Sequence, residues 1–322
     1  MTAPKASHPL EGLLAPRKSL PTWLLYDDAG CALYERITTL PEYYLTRAET
    51  DVLTRHSNDI VALAADGGVR LSLAEIGAGS ATKTELLIAA ALERLHACEY
   101  LACDIAAAPL AAAATRLRAK YSGVRVATFA GSHLDARPAL ASLSGRQVLL
   151  FLGSSLGNYR DAEAIELLGG MRRALRDDGL LVLGTDLKKD PSVIRAAYDD
   201  SAGVTAAFTK NVLVRLNREF ACDFRVEHFR HVAEWVEGTS SVDVSLEATR
   251  RQTVVLRALD REVLFVEGER VHLETCVKYD GARVDRILRE AGFARVCAYL
   301  DAEERYAVQI ATVLPRHPGG AP

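Results

Sequence analysis

The sequence predicts a doubly wound α/β fold, a mostly parallel sheet with helices on both faces. Two observations carry this expectation. Apolar runs such as "LSLAEI" and "QVLLFLG" alternate with helical stretches of roughly 10 to 15 residues. A glycine turn, "EIGAGSATKT", follows the first of these runs and leads into a helix. Strands that are apolar along their whole length are buried on both faces, the condition of a parallel sheet covered by crossover helices.

The elements follow in order from residue 71 to 186. "RLSLAEI" reads as a strand, "KTELLIAAALERL" as a helix, "CEYLACDI" as a strand and "PLAAAATRLRAKY" as a helix. "VRVATFA" and "RQVLLFLG" read as strands, "DAEAIELLGGMRRAL" as a helix and "GLLVLGTD" as a further strand. At the chain end, helix "RVDRILREAGF" precedes "ARVCAYLD", the acidic turn "AEER" and "YAVQIATVL". So short a turn forces these two strands to pair antiparallel, because a parallel return needs a crossover of about a dozen residues. A Rossmann-like parallel sheet ending in an antiparallel hairpin resembles the class I methyltransferase fold more than a nicotinamide-binding one.

Between these parts, residues 190–218 carry two helical patterns around "AAYDDSAGV", and residues 224–278 alternate in strand fashion. The expected organisation is a sheet domain of residues 53–189 plus 279–322 and a second, α+β domain of residues 1–52 plus 190–278. The second domain is expected over the carboxyl ends of the parallel strands, at the kind of junction where active sites form.

Composition narrows the function classes. The 322 residues carry a net charge of -3, with 49% hydrophobic and 25% charged residues, and the pI is about 6.3. There is no basic footprint for nucleic acid or for an anionic membrane surface. No apolar stretch reaches the roughly 20 residues of a membrane-spanning helix, and the N-terminal residues lack a secretory pattern. Six scattered cysteines, without close pairs, predict neither a zinc site nor a disulfide scaffold and suit a reducing cytoplasm. The expectation is a cytoplasmic monomer acting on a small molecule, with no metal.

In the glycine turn, Gly77 and Gly79 stand where the backbone must turn sharply and approach a ligand closely. Thr82 occupies the place where a dinucleotide fingerprint wants a third glycine or alanine, which weighs against NAD. Glu75 precedes the turn and Asp104 ends the next strand. A carboxylate there would accept both ribose hydroxyls of an adenosine, whether of S-adenosylmethionine (SAM) or of NAD. Taken alone, the two glycines would also suit a tight turn with no ligand. Lys83, on the first turn of the helix, reads either as a surface lysine or as a partner for a cofactor carboxylate.

Longer stretches carry a more specific signal. "KSLPTWLLYDDAGCALYERITTLPEYYLTR", "EIGAGSATKT", "FLGSSLGNY", "DLKKDPSVIRAAYDDSAGVTAAF", "NVLVRLNREF" and "HLETCVKY" together resemble the histidine-specific, SAM-dependent methyltransferases that begin ergothioneine biosynthesis, over nearly the whole chain. The resemblance implies SAM binding by Gly77, Lys83 and Asp104 with Ser132 and His133, and a substrate amino acid held by Tyr43, Asn158, Tyr198, Glu274 and Cys276, with Tyr26 and Tyr34 lining the site. Thr275 lies between the last two of these substrate residues, and Val244 belongs to the same pocket. Neutral donors such as Asn158 and Tyr198 suit an α-carboxylate, Tyr43 and Tyr26 suit an amine, and Glu274 suits an imidazole N–H.

Bland alternatives stand beside these roles. Tyr43 and Tyr44 would serve as core aromatics, Asn158 as the cap of the helix near Asp161, Tyr198 as a helix-face aromatic and Glu274 as a solvated strand residue. Three residues depart from the family pattern: Cys276 replaces a serine, Val244 a methionine, and Ser132 an aspartate that meets the adenine. The first two widen the pocket and reduce its polarity. The implied activity is methylation of the α-amino group of histidine up to the trimethyl betaine, with Tyr43 holding the amine. Another aromatic or modified amino acid, tryptophan-like, or an imidazole nitrogen of histidine, is the alternative. A nicotinamide-dependent oxidoreductase and a silent SAM-binding scaffold are more distant ones.

Overall fold

After a 3-10 turn, Glu11–Leu14, comes a short strand, β1 (Lys18–Ser19), and helix α1 (Asp28–Ile37) starts at Asp27, whose carboxylate accepts the Gly30 N–H at 2.8 Å and so caps the helix. The structure is a computed structural model that describes residues 8–132 and 135–315. These form two units. One comprises the described residues up to Tyr44 with Lys189–Cys276; the other comprises Leu45–Lys188 and the chain from Val277 onward.

The sheet unit starts with α2 (Tyr44–Ala64). Leu45, Ala48, Glu49, Val52, Leu53, Ile60, Val61 and Ala64 on this helix are buried, the spacing of one helical face turned to a core. Strands and helices then alternate: β2 (Leu71–Ile76), α3 (Thr84–Leu95), β3 (Cys98–Asp104), α4 (Ala107–Lys120), β4 (Val124–Ala130), α5 (Arg137–Ala141), β5 (Arg146–Phe151), α6 (Asp161–Ala174) and β6 (Leu180–Asp186). All six residues of β2 and all seven of β6 are buried, as their near-continuous apolar runs predict. The doubly wound expectation holds, with α2 and the short α5 as additions that the sequence reading did not contain.

The chain next builds the other unit. Helix α7 (Pro191–Tyr198) is capped by Asp190, which accepts the Ser192 N–H at 2.7 Å, with Pro191 in the first turn, where its missing donor costs nothing. Helix α8 (Val204–Phe220) is held at its start by Asp200, whose carboxylate accepts the Val204 and Thr205 N–H groups at 2.7 and 2.9 Å. Strands β7 (Phe229–Val236), β8 (Ser241–Ala248), β9 (Gln252–Leu256), β10 (Arg261–Phe265) and β11 (Arg270–Val277) follow. They form a four-stranded sheet ordered β1-β11-β8-β7 and a two-stranded β10-β9 ribbon, with Phe224, Phe229 and Phe265 clustered at centroid separations of 5.4 to 5.9 Å.

The sheet unit is completed by α9 (Gly281–Glu290), β12 (Phe293–Leu300) and β13 (Tyr306–Val313). Its seven strands are ordered β12-β13-β6-β5-β2-β3-β4. The pairs β2–β3, β3–β4, β2–β5 and β5–β6 are parallel, and β13 runs antiparallel to both β6 and β12. The closing hairpin is therefore as expected, its turn fixed by Asp301 accepting the Arg305 and Tyr306 N–H groups at 2.7 Å. The strand order reverses between β2 and β5, and ligands of open α/β sheets bind outside the carboxyl ends of the strands at such a switch point.

A buried ion pair closes this end of β6. Asp186 and Lys278 are 0% and 1% exposed, with Nζ 2.8 Å from Oδ2. The Asp186 N–H donates to Ser154 Oγ at 2.9 Å. Removing one member of such a pair strands a charge in the interior. Lys278→Met should therefore destabilise the protein by about 3–5 kcal/mol, seen as a lower urea midpoint at unchanged slope. The double variant Asp186→Asn/Lys278→Met should recover most of that loss.

Candidate active site

The glycine turn leaves β2 pinned to its neighbour. The N–H groups of Gly77 and Ala78 donate to the Cys103 carbonyl at 2.9 and 3.0 Å. The Gly79 N–H donates to Asp104 Oδ2 at 2.8 Å, while Asp104 Oδ1 accepts the Ala106 N–H at 2.8 Å. Asp104 thus ties the loops after β2 and β3 together, using two of the roughly four acceptor positions a carboxylate offers. Gly77 and Gly79 have φ of +73° and +50°, and nothing lies within 4 Å of where a Cβ would sit on either. The turn is an open cradle lined by backbone.

The other residues expected around the cradle lie in different settings. Glu75 is 3% exposed and points into the sheet unit's interior, where its carboxylate accepts the Tyr100 hydroxyl. Burial pushes its pKa up to about 7 against the opposing pull of Tyr100 and Lys83. Lys83 pairs with Glu49, which is wholly buried. Ser132 follows β4 and donates its hydroxyl to Asp135 Oδ2 at 2.6 Å. His133 lies outside the described residues. Asn158 ends a 3-10 turn, Ser155–Asn158, beyond β5. It does not cap α6: the Arg160 N–H there is taken by Glu163 Oε2 at 2.9 Å.

In the other unit the expected substrate residues converge. Tyr26 lies edge-on to Tyr34 and Phe208 at centroid distances of 5.7 and 5.5 Å, and Tyr34 packs on Phe208 at 6.0 Å. The hydroxyls of Tyr34 and Tyr43 are 3.4 Å apart. Glu274 and Cys276 share one face of β11 by strand alternation, and both lie near enough to Tyr26 to raise its pKa after the larger effect of burial. Tyr43 is raised by burial first and by Tyr34 second. Both phenols stay neutral hydroxyls through the physiological range.

Cys276 packs with Val242, Val244 and Ile194, and Tyr198 lies against this apolar patch. Thr275 falls on the opposite face, where its hydroxyl donates to Asp243 Oδ1 at 3.0 Å and meets His272 at 2.9 Å. Two residues of this unit were not singled out from sequence. Phe208 is the ring on which Tyr26 and Tyr34 rest. His231 Nε2–H donates to the Tyr198 carbonyl at 2.8 Å, and its Nδ1 meets Thr209 Oγ1 at 3.0 Å, holding the end of α7. Burial lowers the His231 pKa and favours the neutral ring. Phe208 had a weak signal inside "SAGVTAAF"; His231 had none, because its partners lie on other elements.

The chain matches the family described as histidine-specific, SAM-dependent methyltransferases over residues 6–313. It belongs to that family. It is 36% identical to the histidine N-alpha-methyltransferase of Mycolicibacterium smegmatis, covering 93% of this chain and 92% of that one. It is also 36% identical to the enzyme of the same name from Mycobacterium tuberculosis, again over 93% and 92% of the two chains. A relative from Neurospora crassa, ergothioneine biosynthesis protein 1, is 29% identical over 89% of this chain and 32% of its own length. The protein is a SAM-dependent methyltransferase, and the residues around β2 suit that donor. The cradle has room at Gly77 and Gly79, the Asp104 carboxylate is tied to the Gly79 N–H, and the Lys83 ammonium stands just before α3.

Glu75 makes the stability of this methyltransferase depend on pH. Its folded pKa of about 7 lies above the ordinary 4.5, so between these values the folded state binds more protons than the unfolded chain. Stability is then highest below pH 4.5 on this account and falls as pH rises to 7, by about 3 kcal/mol. Glu75→Gln should flatten that slope in urea titrations between pH 5 and 8 and be the more stable protein at pH 8.

Proposed function

We propose that this methyltransferase acts on the α-amino nitrogen of L-histidine and carries it to the trimethyl betaine. The carrying observation is the convergence of Tyr26, Tyr34 and Tyr43, half-buried to buried, with the Glu274 carboxylate in the unit that lacks the glycine cradle. A zwitterion with an imidazole needs hydroxyl groups for its amine and an acceptor for its ring N–H, and these side chains offer both. The two similar mycobacterial enzymes are named for histidine.

When bound, SAM supplies an already electrophilic methyl group, so no strong acid is called for. The protein's task is to orient the amine and keep water away. Tyr43 holds the amine: its hydroxyl accepts an N–H and, next to Tyr34, passes the departing proton toward water without ionising. Glu274 accepts the imidazole N–H and sets the ring's orientation. Asn158 and Tyr198 donate to the α-carboxylate. Gly77, Gly79, Lys83 and Asp104 hold the donor. The enzyme is proposed to act as a monomer in a reducing cytoplasm, consistent with six cysteines that are all free thiols and with described helices too short or too polar to cross a membrane.

Incubation with SAM and each of the twenty amino acids, followed by mass spectrometry, should give a product with three added methyl groups from histidine. A larger yield from another aromatic amino acid would refute the assignment. Glu274→Gln should raise KM for histidine about tenfold, the scale of one charged hydrogen bond. Tyr43→Phe should lower kcat by at least about tenfold, with donor binding intact.

A further inference from the structure

We infer that Glu49 is a positioning residue for the methyl donor's amino-acid tail, acting through Lys83 and the Gly153 turn. The inference rests on the donor-binding role proposed for Lys83.

Glu49 is 0% exposed. Its Oε1 accepts the Gly153 N–H at 2.8 Å and the Tyr306 hydroxyl at 2.7 Å, and its Oε2 pairs with the Lys83 ammonium. Four separate parts of the sheet unit thus meet at one carboxylate: α2, the residue before α3, the turn after β5 and the start of β13. Gly184 on β6 makes room for it, since a Cβ there would overlap both Glu49 Oε1 and the Tyr306 hydroxyl.

The placement of this hub indicates its use. Gly153 leaves β5 and Lys83 follows the cradle after β2, the two neighbouring strands between which the order reverses. Lys83 Nζ lies 3.6 Å from where a Cβ on Gly153 would sit. Glu49 is sealed from solvent while the Lys83 side chain keeps 26% of its surface, so the lysine, and not the glutamate, faces an incoming ligand. A lysine ammonium on its flexible stem loses rotamer freedom whenever it is fixed. Glu49 fixes it before the donor arrives, at a point suited to the donor's carboxylate. Glu49 also offsets the charge of Lys83, which on its own would weaken anion binding. Positioning and neutralisation therefore predict opposite effects of removing the charge.

The test is calorimetric titration of wild type, Glu49→Gln, Lys83→Met and the double variant with S-adenosylhomocysteine and with 5′-methylthioadenosine, which lacks the amino-acid tail. In Glu49→Gln the amide oxygen can still serve Gly153 and Tyr306, but its NH2 is turned toward the ammonium. Each single variant should bind S-adenosylhomocysteine about tenfold more weakly and 5′-methylthioadenosine within about twofold of wild type, with no additional loss in the double variant. Should Glu49→Gln fail to fold, Tyr306→Phe, which removes one of the donors holding the carboxylate, should show a smaller loss confined to the same ligand. Unchanged or tighter binding of S-adenosylhomocysteine to Glu49→Gln, equal losses for both ligands, or multiplying losses in the double variant would overturn the inference. If Lys83→Met itself binds S-adenosylhomocysteine normally, it is the donor-binding role of Lys83 that fails, and the inference with it.

Discussion

A carboxylate removed from water must be paired and hydrogen-bonded or it destabilises its surroundings, and the sheet unit is organised around meeting that demand at Glu49. Its partners come from a helix start, a turn and a strand that the chain brings together from positions 34 to 257 residues apart. The same demand recurs at Asp186, paired with Lys278 at the end of β6. Because both sites lie where parallel strands finish, the loops that leave those strands are held by charge as well as by packing. A cradle that depends on two positive-φ glycines needs such support, since glycine itself supplies no side-chain contacts.

The other unit follows a different rule. Its clustered tyrosines are half-buried to buried and polar only at their tips, so the patch is apolar in bulk with a few hydroxyls and one carboxylate placed within it. Burial raises the pKa of the Tyr26 and Tyr43 phenols, so both remain neutral hydroxyls and not phenolates. Cys276 packs in the apolar patch with Val244, which gives physical content to both departures from the family pattern.

The two residue sets differ in the chemistry they offer. The unit with the parallel sheet carries the cradle and charged groups that suit a sulfonium donor with an adenosine and an amino-acid tail. The unit with the tyrosine cluster carries groups that suit a small zwitterion. Methyl transfer needs little more than this from a protein, because the donor is reactive before it binds and orientation contributes most of the remaining acceleration.

The local pattern of the sequence determined the parallel strands, the closing hairpin and the cradle. Each is written in neighbouring residues: near-continuous apolar runs for strands buried on both faces, a short acidic turn that permits only antiparallel pairing, and glycines where a backbone must bend. The family resemblance extended this to Tyr26, Tyr34, Tyr43 and Glu274, which the structure brings together. Helix α2, whose buried face carries Leu45, Ala48, Val52 and Leu53, lay outside the alternating pattern and was not read from the sequence. What only the tertiary structure decided is which polar groups face one another. Glu75 reads as a ligand for ribose and instead turns inward to Tyr100; Thr275 lies on the far face of β11; Glu49 and His231 give no local sign at all. The physical reason is that the energy of a buried polar group is set by partners distant in the chain, and no local pattern encodes them.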